Sequence, residues 1–196
     1  MKNLGISLQG GSSLNIALNA GFGIIMFISV ANATAPTAIS REGESIFISK
    51  YLPISYRVQI LSKVLSAFIL NIVGLIVLVI FSAILIKPPV YLIMIIVVVG
   101  VLGIIFTCFS GILIDLNFPK LHWENEQKAV KQNMNVLVNM VVGAAIAGLS
   151  IFLIIKLGLG LWTAFGVLTA IFAILDIVLY KVICTVGVRL FGNIEG

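Results

Sequence analysis

The 196-residue chain is 61% hydrophobic and only 10% charged, with a mean hydropathy of +1.23. A soluble domain carries about 25% charged residues, so a water-soluble globule is excluded, and so is a disordered chain, which needs low hydrophobicity and high charge. An integral membrane protein remains, and the net charge of +5 reads as topology rather than as a nucleic-acid patch, because the basic residues sit in short segments between apolar runs.

A membrane span needs about 20 mostly apolar residues. Five runs qualify, at 14–39, 61–86, 90–114, 134–155 and 159–183. They are continuous and do not alternate, so they predict helices, which satisfy their own backbone in lipid, rather than barrel strands. The expected fold is all-α: a polytopic bundle of about five transmembrane helices forming one transmembrane domain over 1–196.

The first run has features of a signal peptide, with Lys2 before it and Ala31-Asn32-Ala33 as a cleavage-like triplet. Cleavage would invert everything that follows, so the run is read as a retained span. Residues 40–60 form the first loop. Ser40 can cap a helix, and Glu42 and Glu44 suit a helix N-terminus. Phe47, Ile48, Tyr51, Leu52 and Ile54 put apolar groups at three- and four-residue spacing. The pattern predicts a short amphipathic helix over 42–51 at the membrane surface, bent at Leu52-Pro53-Ile54. It fits a plain loop anchor or a docking element.

The second run carries Asn71 and turns through Lys87-Pro88-Pro89 into the third. Residues 115–133 form the second loop, which opens on Asp115. Pro119 stops the helix, Lys120 follows, and Trp123 suits an interface. Glu126 and Lys131 lie in its charged half, beside a Glu124–Lys128 pair at helical spacing. Asn133, Asn135 and Asn139 open the fourth run, with Asn135 and Asn139 on one face. Gly143/Ala147 and Ala144/Gly148 are small-residue pairs that permit close helix packing. The fifth run holds Asp176, with Tyr180 one turn later. An acid within a span is a functional candidate, and it also fits a residue that reaches interfacial water or Lys181. Asn71, Asn135 and Asn139 fit interhelical hydrogen bonds or a substrate path.

Nine of the twelve basic residues fall in 40–63, 115–133 and the tail. The positive-inside rule therefore places the N-terminus outside and the C-terminus in the cytoplasm. There is no nucleophile elbow, zinc-helix motif or phosphate loop. Cys108 and Cys184 lack a CxxC partner, and His122 is the one histidine. No catalytic residue, metal or cofactor is expected.

Taken together, SREGESIFISKYLPIS, a span opening on a Lys, and IDLNFPKLHWENEQKAVKQN after the next span resemble one bacterial family. These motifs, with the tail VGVRLFGNIEG, are similar to permease subunits of type 2 ATP-binding cassette (ABC) exporters, over about Asn32 to the end. The resemblance is to the C-terminal half, which implies a half-length permease, a split partner or a fragment. It implies that the short inner helix docks on a separate ATPase chain, with Arg41, Glu42, Gly43, Glu44 and Lys50 in the docking segment and Leu52, Pro53 and Ile54 forming its bend. Asp115, Pro119, Lys120, Trp123, Glu126 and Lys131 would form a second cytoplasmic contact or a structural clamp. The implied partners are an ABC-type ATPase subunit, membrane lipid, and a second permease half or a homodimer, with no nucleic acid, in the bacterial cytoplasmic membrane. A non-transport membrane interaction or assembly protein is the alternative.

Overall fold

The structure, a computed structural model, describes residues 11–123, 130 and 133–194. The expectations for Glu126, Lys131 and the Glu124–Lys128 pair fall outside the described residues, as does the side chain of Glu44.

Helix α1 spans Gly11–Ala31. A turned segment and a 3-10 turn, Ser40–Ser45, lead to the short α2, Ile46–Tyr51. Then come α3 (Tyr56–Leu85), α4 (Val90–Asn117), α5 (Met134–Lys156) and α6 (Leu161–Val182). A π turn, Ile183–Gly187, joins α6 to α7, Val188–Asn193. No strand occurs among the described residues. Among the described residues five helices are long and apolar enough to cross a membrane, and the fold is an all-α bundle.

Two boundaries differ most from the apolar pattern, each for a local reason, while α3 begins at Tyr56 rather than 61 and α4 ends at Asn117 rather than 114. The first helix stops at Ala31 rather than running to residue 39. The Asn32 side chain accepts bonds from Thr34 N and Thr34 Oγ1 at 3.0 and 2.6 Å, which turns the chain. Pro36 then disfavours helix at Ala35. The apolar residues beyond, Ala35, Ala38 and Ile39, are buried in the protein. The last helix runs on instead of ending near 183, because the π turn carries it forward to Asn193.

Helix α4 is the axis: half of its most apolar window is buried, against 11% for α3. One core cluster lies toward the end bearing residues 40–63, and joins Ile39, Ile46, Ile60, Ile112, Leu116 and Phe191. A second joins Leu18, Met26, Leu92, Val99 and Leu168. Within it Phe172 packs its ring against Phe22 and Phe106, at centroid distances of 5.1 and 5.5 Å. Of the two small-residue pairs, only Gly143/Ala147 is buried in the chain. A Cβ on Gly143 would sit 2.2 Å from Val30 Cγ1, so α1 and α5 touch there as only glycine allows. Gly148 faces open space.

Candidate functional site at the basic end

The two polar loops, separated by two spans in sequence, meet at one buried carboxylate. Asp115 has no solvent exposure. Its Oδ2 accepts from the backbone N–H groups of Ile39 and Ser40 at 2.6 and 3.0 Å. Its Oδ1 accepts from the Ser40 hydroxyl, and from Asn135 Nδ2 at 2.9 Å. Every partner donates, and each bond to a charged group contributes about 1.5–3 kcal/mol. Asn135 spends its second N–H on the Phe118 carbonyl at 2.9 Å, which fixes the end of α4.

The second loop closes the same junction. Lys120 N donates to Ser40 Oγ at 3.0 Å, and Trp123 Nε1 donates to the Ser40 carbonyl at 2.8 Å. Gly43 has φ 51°, a left-handed conformation that breaks the expected 42–51 helix into two pieces. A Cβ there would lie 3.0 Å from the Trp123 ring. Ser40, expected as a helix cap, caps nothing: its hydroxyl belongs to Asp115. Pro119 follows Phe118, the residue that ends α4.

Of the charges expected to face a partner, Arg41, Glu42 and Lys50 each have partners within the chain. Glu42 forms an ion pair with Lys63. Lys50 Nζ donates to the carbonyls of Gly192 and Ile194, tying α2 to the end of α7. Arg41 donates to the Thr37 and Thr34 carbonyls at 3.4 and 3.2 Å. Gln59 Nε2 donates to the carbonyls of Ser49 and Ile54 and braces the bend at Leu52-Pro53-Ile54. What α2 and its bend offer outward is apolar. Ile48 and Tyr51 are 68% and 89% exposed, and Leu52 and Ile54 are also exposed.

Further along α4 lies a belt of small polar groups. Thr107 Oγ1 hydrogen-bonds Ser29 of α1. Ser110 Oγ donates to Asn139 Oδ1 at 2.8 Å, and Asn139 Nδ2 donates to the Thr107 carbonyl. Asn71 Nδ2 donates to the Ala67 carbonyl and, at 3.6 Å, to Cys108 Sγ, while its Oδ1 accepts from Asn32 Nδ2. Asn71 and Asn139 are thus interhelical links. Asn135, one turn before Asn139, belongs to the junction. Asp176 is within electrostatic reach of Cys108. It is buried, and neither carboxylate oxygen has a hydrogen-bond partner, Lys181 included, among the described residues.

The end opposite the basic loops is looser. A cleft of about 560 Å³ separates α1 from α3 and α4, and its apolar walls include Ala20, Ile24, Phe81 and Leu85. A second, of about 730 Å³, lies between α1 and α5, with Asn15 and Asn19 on its wall. Neither reaches the belt.

No group of three or more metal-ligating side chains occurs among the described residues. Sequence reasoning placed Asp115, Trp123 and Asn135 near the basic end. It missed the role of Ser40, and it missed Ser29, Thr107 and Ser110 entirely. A hydroxyl in an apolar run usually bonds its own helix, so only the facing helix reveals its use. No family model matches this sequence, and neither the curated proteins nor the solved structures include a match to it.

Proposed function

We propose that this chain is the permease component of an ATP-binding cassette exporter in the bacterial cytoplasmic membrane. Its basic end faces the cytoplasm, and α2 receives a separate ATPase subunit. One observation carries the reading: α2 offers exposed Ile48 and Tyr51 while its root is fixed to the bundle axis. Ser40 joins it to Asp115 of α4, and Lys50 joins it to the end of α7. An anchored helix with an apolar outer surface suits the transmission of force better than a loose loop does. A partner that binds α2 differently in two states would bias the whole bundle. The resemblance of both loops to ABC permeases supports the same assignment.

The test is a photoreactive phenylalanine analogue at Tyr51, activated in native membranes, with the captured chain identified by mass spectrometry. Capture of an ATP-binding cassette subunit is expected. Capture of lipid alone from a well-expressed protein would reduce α2 to an interfacial anchor. Capture of an unrelated membrane protein would favour an assembly or interaction role without transport.

A further inference from the structure

Asp176 differs from every other buried polar side chain of the spans in what surrounds it. It lies roughly 22 Å down α6 from Leu161, at 1.5 Å per residue. It is 7% exposed, and neither oxygen meets a donor among the described residues. Two aromatic contacts between α4 and α6 bracket it. Phe106 meets Phe172 one turn before it, and Phe109 meets Tyr180 one turn after it, at centroid distances of 5.5 and 6.1 Å.

The titratable groups around it supply no positive charge. From α4 comes the Cys108 thiol. Helix α1, Gly11–Ala31, contains no titratable side chain. On its own helix, Tyr180 Oη accepts from Arg57 of α3 at 2.5 Å, and Lys181 points to the exposed side. Cys184 lies two turns away, in the π turn. The one ion pair among the described residues is Lys63–Glu42.

A bare carboxylate in such a seam is costly, and the usual outcome is neutralisation. We propose that Asp176 is a proton-binding site, carried as the neutral acid in the folded bundle at neutral pH, and that losing this proton loosens the α4–α6 seam. The inference is independent of any ATPase partner. The proton is bound in the folded state and released on unfolding, where the carboxyl meets water. Folding therefore takes up a proton, and stability falls as pH rises, by up to tenfold per pH unit in the folding equilibrium. Asp176→Asn places a neutral near-isostere in the seam and removes that dependence.

The experiment compares thermal unfolding of the full chain and of D176N in the same lipid nanodiscs at pH 5 and pH 9, in choline chloride. Matching midpoints at pH 5 and a wild-type midpoint well below that of D176N at pH 9 are expected. A gap that is the same at both pH values overturns the proposal. So does a wild-type midpoint at pH 9 that sodium chloride restores, because the site then takes an alkali cation. Labelling with dicyclohexylcarbodiimide adds a chemical readout. A protonated acid adds across the carbodiimide C=N bond to give an acylisourea, which rearranges to a stable acylurea. Modification of wild-type Asp176 that declines from pH 5 to pH 9 is expected. Modification that does not change with pH counts against the site.

Discussion

The two ends of this bundle are built by opposite means. At the basic end, loops far apart in sequence are stitched together by directional bonds around Asp115, and α2 is tied to α7 through Lys50. At the other end the spans join by short turns. There Asn15 Nδ2 reaches the Leu159 carbonyl, and two clefts separate α1 from its neighbours. The contrast teaches where this molecule keeps its shape. In lipid, burial of apolar surface does not by itself drive helices together, so polar links and close packing must fix their arrangement. They are concentrated at and near the basic end. That end is where α2 stands, and the described residues leave two clefts toward the opposite end.

Substitutions can break this contrast, and the largest effect is expected at Asp115. Asp115→Ala leaves four donors unpaired in a buried site, at a cost of about 3–5 kcal/mol, since breaking a buried charged network is among the most damaging changes. Thermal unfolding in detergent should show a large fall in midpoint or loss of the folded species. A melt like the wild type would mean that the junction is ornamental. Gly43→Ala comes next. It forces a side chain into a left-handed backbone and against Trp123, and about 1–3 kcal/mol is expected. Its distinguishing sign is increased protease cleavage within 40–55, with the spans intact. Asn139→Ala, which removes the Ser110 link, should cost about 0.6 kcal/mol, typical of a hydrogen bond between spans. A double-mutant cycle with Ser110→Ala reads the pair directly, and full additivity would show that the two do not interact. Smallest of all, Ala20→Leu enters the clefts at the loose end. It should shift stability by less than about 0.5 kcal/mol, as exposed substitutions do. A loss of 2 kcal/mol or more there would show that the loose end is packed after all.

Much of the architecture was legible in the chain. Apolar run length located all five spans, because a bilayer sets that length whatever the packing. The prolines at 88 and 89 marked the turn into α4. Apolarity misled at residues 33–39, where burial inside the protein resembles burial in lipid. It also concealed the continuation of α6, since Val182 and Ile183 read as the edge of a span while a π turn carries the helix onward. The junction was half visible. Asp115 and Trp123 stood out as polar or amphipathic groups at a span boundary. Their common partner, Ser40, lies 75 residues from Asp115, and no local pattern encodes so distant a contact. The resemblance puts the charges of the first loop in a docking segment, and it does not show that Glu42 pairs with Lys63 and that Lys50 bonds to the end of α7, contacts made with residues 21 and more than 140 positions away.

The short turns at the loose end bear on how the chain enters a membrane. Residues 86–89 join α3 to α4, and 157–160 join α5 to α6. With the basic end in the cytoplasm, as proposed above, each pair can insert as a helical hairpin whose two free ends stay on the side of synthesis. The tip of one hairpin takes Lys87 across the hydrocarbon and the tip of the other takes Lys156. A lysine at the centre of a span costs about 2.5–3.5 kcal/mol on insertion scales, which the apolar residues of two helices offset many times over. The reverse orientation would drag Arg41, Lys50, Arg57 and Lys63 through together. In that orientation the economy of the tips and the crowding of charge at the other end are one arrangement: of the twelve basic residues, only Lys2, Lys87 and Lys156 have to pass through the lipid.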